Sequence, residues 1–189
     1  VESFNYTLHD LLCLSEFRKV IPATGMDDIC KAITEWAEQE VLSGNDSGTL
    51  LILASLNLDK TPDEDEVRRY FDRYRAETGL SYPAQNFSAL IWLKIQISKL
   101  THASNAQSAV IYLSFFATTW LDYSPRFFAK TCGYLNWLYY NLMDDYGDLY
   151  PSLASEMTSD EILAYIKKHL IPFEKKLSND DWLNFLSEE

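Results

Sequence analysis

Glycine, cysteine, basic charge and long apolar runs are all scarce in this chain, and each scarcity removes a class of protein. Only six of the 189 residues are glycine, and neither Asn-Gly nor Asp-Gly occurs. The commonest tight hairpin signals are therefore missing, and so are convincing alternating strands. The three cysteines, Cys13, Cys30 and Cys132, are an odd number with no CxxC and no Cys/His cluster at zinc spacing. Small apolar thiols in a core are expected, together with a reducing, cytoplasmic compartment. Sixteen Lys and Arg face 28 Asp and Glu, a net charge of −12. Nucleic-acid affinity comes largely from basic side chains that displace counterions around phosphates, so no nucleic-acid partner is expected. An anionic membrane surface would repel the chain in the same way. The most apolar stretch, Ser108 to Leu121, is interrupted by Ser114, Thr118 and Thr119. It falls short of the ~20 residues that cross a bilayer. No basic segment followed by an apolar run opens the sequence, so no signal peptide is expected.

What is present is helical punctuation. Hydrophobic residues make up 47% of the chain, and a chain this long can bury ~70% of its unfolded surface without disulfides or metal. A single all-helical domain over residues 1–189 is the expectation. Leu8 to Val20 lies between Thr7 and Pro22. Asp27 to Leu42 carries Ile29, Ile33, Trp36, Ala37 and Val41 on one stripe, with Gly44 just beyond it. Leu50 to Leu56 reads as a short buried helix. Thr61-Pro62-Asp63-Glu64 is a start signal with Thr61 as cap and Pro62 at the first helical position. Val67, Tyr70, Phe71 and Tyr74 then form the buried face, and Gly79 terminates it. Ala84 to Leu100 is apolar around most of its circumference and reads as a central helix.

Asn105 can cap Ala106 to Leu121, although the aromatic and β-branched content there also suits a strand in part. Ser124-Pro125 opens a long helix to about Tyr146. Thr158 to Glu161 is a capping box, and Asn179 starts a last helix. The fold class is all-α with about eight helices. Starts recur roughly every 20 residues, which suits α-solenoid-like stacked helical hairpins or a helical bundle.

Catalytic signatures are missing from the sequence. His9, His102 and His169 are dispersed, and no GxSxG elbow occurs. Gly44 to Thr49 lacks the length and the lysine of a phosphate loop. Asp144-Asp145-Tyr146-Gly147-Asp148 has the DDxxD spacing and resembles the magnesium-diphosphate motif of isoprenoid synthases. No second acidic motif accompanies it, and residues 131–166 hold no Lys or Arg to help bind a diphosphate. The expectation is a protein that is not an enzyme and takes no cofactor and no metal.

The same five residues read better as a contact surface. Acids at a helix C-terminus oppose the dipole, and they stand among Tyr134, Trp137, Tyr139, Tyr140, Tyr146 and Tyr150. Tyrosines beside uncompensated acids suit an interface that receives Arg or Lys. Asp144, Asp145, Tyr146, Asp148 and Tyr150 are therefore the candidate partner-binding residues, with Trp137 and Tyr134 assigned to the core. Asp63, Glu64, Asp65 and Glu66 are the alternative partner-binding stretch. Arg69 and Arg73 share a helix face, with Asp65 and Asp72 near for local pairing.

The run Leu50 to Leu56, followed by Asp65-Glu66-Val67 and Tyr70-Phe71, resembles the small acidic all-helical immunity proteins of bacteria. That resemblance implies a cytoplasmic protein whose partner is a basic toxin domain, often a nuclease, held by occlusion of its active site. Such proteins bind different toxins through different surfaces, so no site residue is carried over. A helical-repeat adaptor or regulator is the alternative.

Overall fold

A computed structural model describes residues 4–21, 28–58, 61–144 and 151–188. These residues form nine α-helices and two short 3₁₀ turns, and they contain no strand. The chain divides into two compact units, Val1–Ser88 and Ala89–Glu189.

In the first unit, α1 (Leu8–Phe17) starts on a capping box. The Thr7 hydroxyl accepts from the Asp10 N–H at 3.2 Å, and the Asp10 carboxylate accepts from the Thr7 N–H at 2.9 Å. Helix α2 (Ile29–Leu42) starts on Asp28, whose side chain accepts from the Lys31 N–H. Helix α3 (Gly48–Ser55) is capped by Ser47 without a side-chain bond. It is only half hidden: Leu50 and Leu53 are buried, while Leu51 and Ile52 face outward.

Helix α4 (Glu64–Glu77) starts on Asp63, not Thr61, with Asp63 Oδ1 accepting from the Glu66 N–H at 2.8 Å. Starting there places Glu64, Asp65 and Glu66 in the first turn, where the positive end of the dipole favours all three. Both expected glycine stops are present. Gly44 has φ 102° and Gly79 has φ 68°, and the N–H groups that follow reach back to Glu40 and Arg75 in the six-to-one pattern of a Schellman motif. Trp36 of α2 lies edge-on to Phe71 and Tyr74 of α4, at 6.2 and 5.6 Å between ring centroids. These rings anchor the core of this unit.

Helix α5 (Gln85–Thr101) runs through the boundary between the units, and its residues from Ala89 onward belong to the second. There α6 (Ala106–Thr118) is capped by Asn105, which accepts from the Ser108 N–H at 2.9 Å. Ala106, Ala109, Leu113 and Phe116 are its buried positions, at helical spacing, so the strand alternative falls. Helix α7 (Arg126–Met143) packs on α6, and α8 (Ser159–Leu177) packs on α6 and on α9 (Asp180–Ser187). Thr158 and Glu161 form the expected capping box of α8, and α8 continues through the exposed Pro172.

Helix α7 ends at Met143, one turn short of the expected Tyr146. Asp144 is the C-cap with extended backbone angles, φ −72° and ψ 130°. As the C-cap, Asp144 still closes the last turn through its N–H and holds its carboxylate at the negative end of the helix dipole.

Gly133 lies in the middle of α7 on its exposed side, and a Cβ built on it meets nothing within 4 Å. Glycine inside a helix costs about 0.5–1 kcal/mol relative to alanine. Gly133→Ala will therefore stabilise the protein by about that amount, read as a higher urea midpoint at unchanged slope.

Candidate functional site

Of the five residues expected to bind a partner, Asp144 alone lies within the described residues. Asp145, Tyr146, Asp148 and Tyr150 lie outside them. The Asp144 N–H donates to the Tyr140 carbonyl at 2.8 Å, and its carboxylate is partly exposed.

The buried positions of α7 are Phe128, Thr131, Cys132, Leu135, Leu138 and Leu142. At 100° per residue, Gly133, Trp137, Tyr140 and Asp144 fall on the opposite face. Trp137 is 48% exposed and Tyr140 45%, which corrects the assignment of Trp137 to the core. Tyr134 is also partly exposed, at the edge where α7 meets α8. Large aromatics default to the interior, but α7 fills its interior stripe with Leu, Phe and Cys and leaves no room for these rings.

These exposed rings are held in place. The Tyr134 hydroxyl and His169 Nδ1 share a hydrogen bond of 2.6 Å. The Tyr134 ring lies 5.3 Å from Trp137 and 5.1 Å from Phe173, between centroids. Tyr165 packs on His169 at 4.5 Å, and Asn141 Nδ2 donates to the Tyr165 hydroxyl at 2.9 Å. Tyr140 donates to the Ala117 carbonyl at 3.4 Å. Burial, and then the neighbouring Tyr165, push the Tyr134 hydroxyl above the usual tyrosine range. The sequence reading missed Tyr165, His169 and Phe173 as members of this surface. Their spacing of four on one helix was the available signal.

The alternative acidic stretch is already in use. Asp63 caps α4. Glu64 Oε1 lies 2.8 Å from Arg18 and 3.3 Å from Arg68, and Glu66 lies 3.2 Å from Arg69. Asp65 is 3.9 Å from Arg68 with its side chain 94% exposed. Arg73 pairs with Glu77 and Arg75 with Asp72, so the expected pairing of Arg69 and Arg73 with Asp65 and Asp72 is corrected. Exposed pairs of this kind contribute only ~0–1 kcal/mol each. Their consequence here is electrostatic: α4 presents little net charge.

Between α1, α2 and α4 lies a cleft of about 640 Å³ lined by Arg18, Lys19, Cys30, Glu64, Arg68 and Tyr82, among others. Its polar groups are committed to one another. Tyr82 donates to Asp72 at 2.7 Å, and Lys19 sits 4.3 Å over the Tyr82 ring. Burial first, and then Glu64, raise the Cys30 thiol above its ordinary value, which favours the protonated, poorly nucleophilic form. Burial pushes Cys13 up to about 12 and raises Cys132 further. In the native protein, a disulfide reagent at mildly alkaline pH will label the half-buried Cys30 first. Cys13 and Cys132 will react only with added denaturant. Rapid labelling of Cys132 would show that the α7 core opens.

Among the described residues, no three His, Cys, Asp or Glu stand close enough together to hold a metal ion, and no helix is long and apolar enough to cross a membrane. No family model matches the chain, and no curated protein and no solved structure is found similar to it.

Proposed function

We propose that the chain is an acidic binding protein that covers a basic protein surface, in the manner of a bacterial immunity protein that occludes the active site of a toxin domain. One observation carries the reading. Every described basic side chain of the first unit lies within 3.7 Å of a carboxylate oxygen: Arg18, Lys19, Lys31, Arg68, Arg69, Arg73 and Arg75. Residues 1–88 hold sixteen Asp and Glu against eight Lys and Arg. Once these pairs have cancelled, what the unit presents outward is acidic. Glu40 and Asp46 make no ion pair among the described residues. A partner steered by such a field is positive, and a site built to bind phosphates is a natural target for an acidic decoy.

The α7 face supplies the second requirement, which is anchoring. Tyr and Trp are enriched at binding hot spots, and rings already fixed by neighbours lose little side-chain entropy on contact. The charge guides the encounter and the aromatic face holds the complex.

The test is affinity purification from the native host, followed by an activity assay on what co-elutes. The expected result is a basic protein whose activity falls to background at one equivalent of this chain. An acidic partner, or a basic one whose activity is untouched, would remove the immunity reading. Retention of several unrelated proteins with no inhibition would favour the helical adaptor.

A further inference from the structure

On the exposed side of α7, where α6 ends beside it, lies a pocket of about 290 Å³. Ala129 and Gly133, four residues apart on α7, form part of its lining together with Phe116, Trp120, Asp122 and Asn136. Nothing lies within 4 Å of where a Cβ on Gly133 would stand. Trp120 follows the end of α6 and is 84% exposed. An indole left this far in water gains nothing from the core of its own chain.

The chemistry of the lining selects an occupant. Asp122 is the single charged residue among those that line the pocket, and it makes no ion pair among the described residues. Asn136 donates its Nδ2 to the Phe116 carbonyl at 3.1 Å, so its Oδ1 remains an acceptor. The pocket therefore offers acceptor oxygens, one negative charge, an open aromatic face and apolar walls. Its volume is just below the ~300–1,000 Å³ typical of small-molecule sites. That is room for one long side chain.

We infer that this pocket receives an arginine side chain from a basic protein partner. The guanidinium supplies donors in a planar fork, pairs with carboxylate and stacks on indole, and its aliphatic stem suits the walls. Lysine, a compact and strongly hydrated ammonium, fits the charge but not the stacking. The source of the arginine rests on the proposed basic partner; the pocket's preference does not.

The experiment uses the isotopically labelled full chain titrated with a capped Gly-Gly-Arg-Gly-Gly peptide and with its Lys and norleucine counterparts. Saturable shifts of the Gly133 amide and the Trp120 indole are expected with the Arg peptide, weaker ones with Lys and none with norleucine. Asp122→Asn should weaken binding roughly tenfold, because the amide keeps one acceptor oxygen but loses the charge that strengthens a hydrogen bond from the guanidinium. Gly133→Leu should abolish the Trp120 shift by filling the pocket, with Gly133→Ala as the milder variant if the leucine disturbs the helix. Shifts that never saturate, that occur elsewhere, or that survive Gly133→Leu overturn the inference. If the co-purified partner then still binds, the function reading stands without the pocket. A partner that proves not to be basic, with the Arg peptide still saturating Gly133 and Trp120, leaves the pocket standing without the function reading.

Discussion

Phe128→Ala will lower the unfolding free energy by about 3–5 kcal/mol, the range for truncating a buried Phe in a core that relaxes only partly. Phe128 is 0% exposed, on the first turn of α7. Its ring centroid stands 5.8 Å from Trp92 of α5, which also contacts Phe116 at 6.0 Å and Phe115 at 6.1 Å. Removing the ring leaves a void beside Trp92 and deletes one member of a cluster contributed by three helices. A drop in melting temperature of roughly 6–20 °C is expected for a chain of this size. Trp182→Ala is the control, because that ring is 44% exposed on α9 and its loss should move the transition far less. If both variants shift the melting point equally, the rings around Trp92 are not the anchor of the second unit.

The elements that sequence reading recovers best are those whose signals are local. Thr7 with Asp10, Thr158 with Glu161, Asn105 and Asn179 each satisfy a backbone N–H three residues away, and that spacing is visible in one dimension. Gly44 and Gly79 are legible for the same reason, since each helix end needs a positive φ at one position. Thr61 against Asp63 is harder, because both are competent caps. The choice falls to Asp63, which aligns three acids with the dipole and leaves Val67, Phe71 and Tyr74 in the buried stripe. Most of the surface was not legible. Whether Glu64 is an open charge or a paired one depends on Arg18, 46 positions away at the C-cap of α1. Tyr134 meets His169 only because α7 and α8 fold side by side. Trp137 misled because residue type alone says interior, whereas the angular position opposite Leu135 and Leu138 says exterior.

That exterior position gives the second large effect: Trp137→Ala will weaken binding to the proposed basic partner by about 2 kcal/mol or more, near 30-fold in Kd, while leaving the fold close to its original stability. The ring is half exposed, so its loss removes less buried area than a core truncation. Its neighbours Tyr134 and His169, at 5.3 and 6.4 Å, keep it from collapsing into a core pocket. Hot-spot energy appears mainly in dissociation, so the expected signature is a faster off-rate with little change in on-rate. Asp144→Ala should behave in the opposite way. Its carboxylate closes the same face of α7, and a rim charge acts mostly on encounter. Association should slow, and the gap from the unmodified chain should shrink as salt brings the Debye length down to ~8 Å. The two substitutions lie seven residues apart, close enough to share a partner contact, so the double variant should depart from additivity by ~0.5 kcal/mol or more. Binding kinetics for the two single variants and the double variant decide the matter. Unchanged rates in all three, with the fold intact, would remove the α7 face from the interface and leave the unpaired acids Glu40 and Asp46 as the next surface to probe.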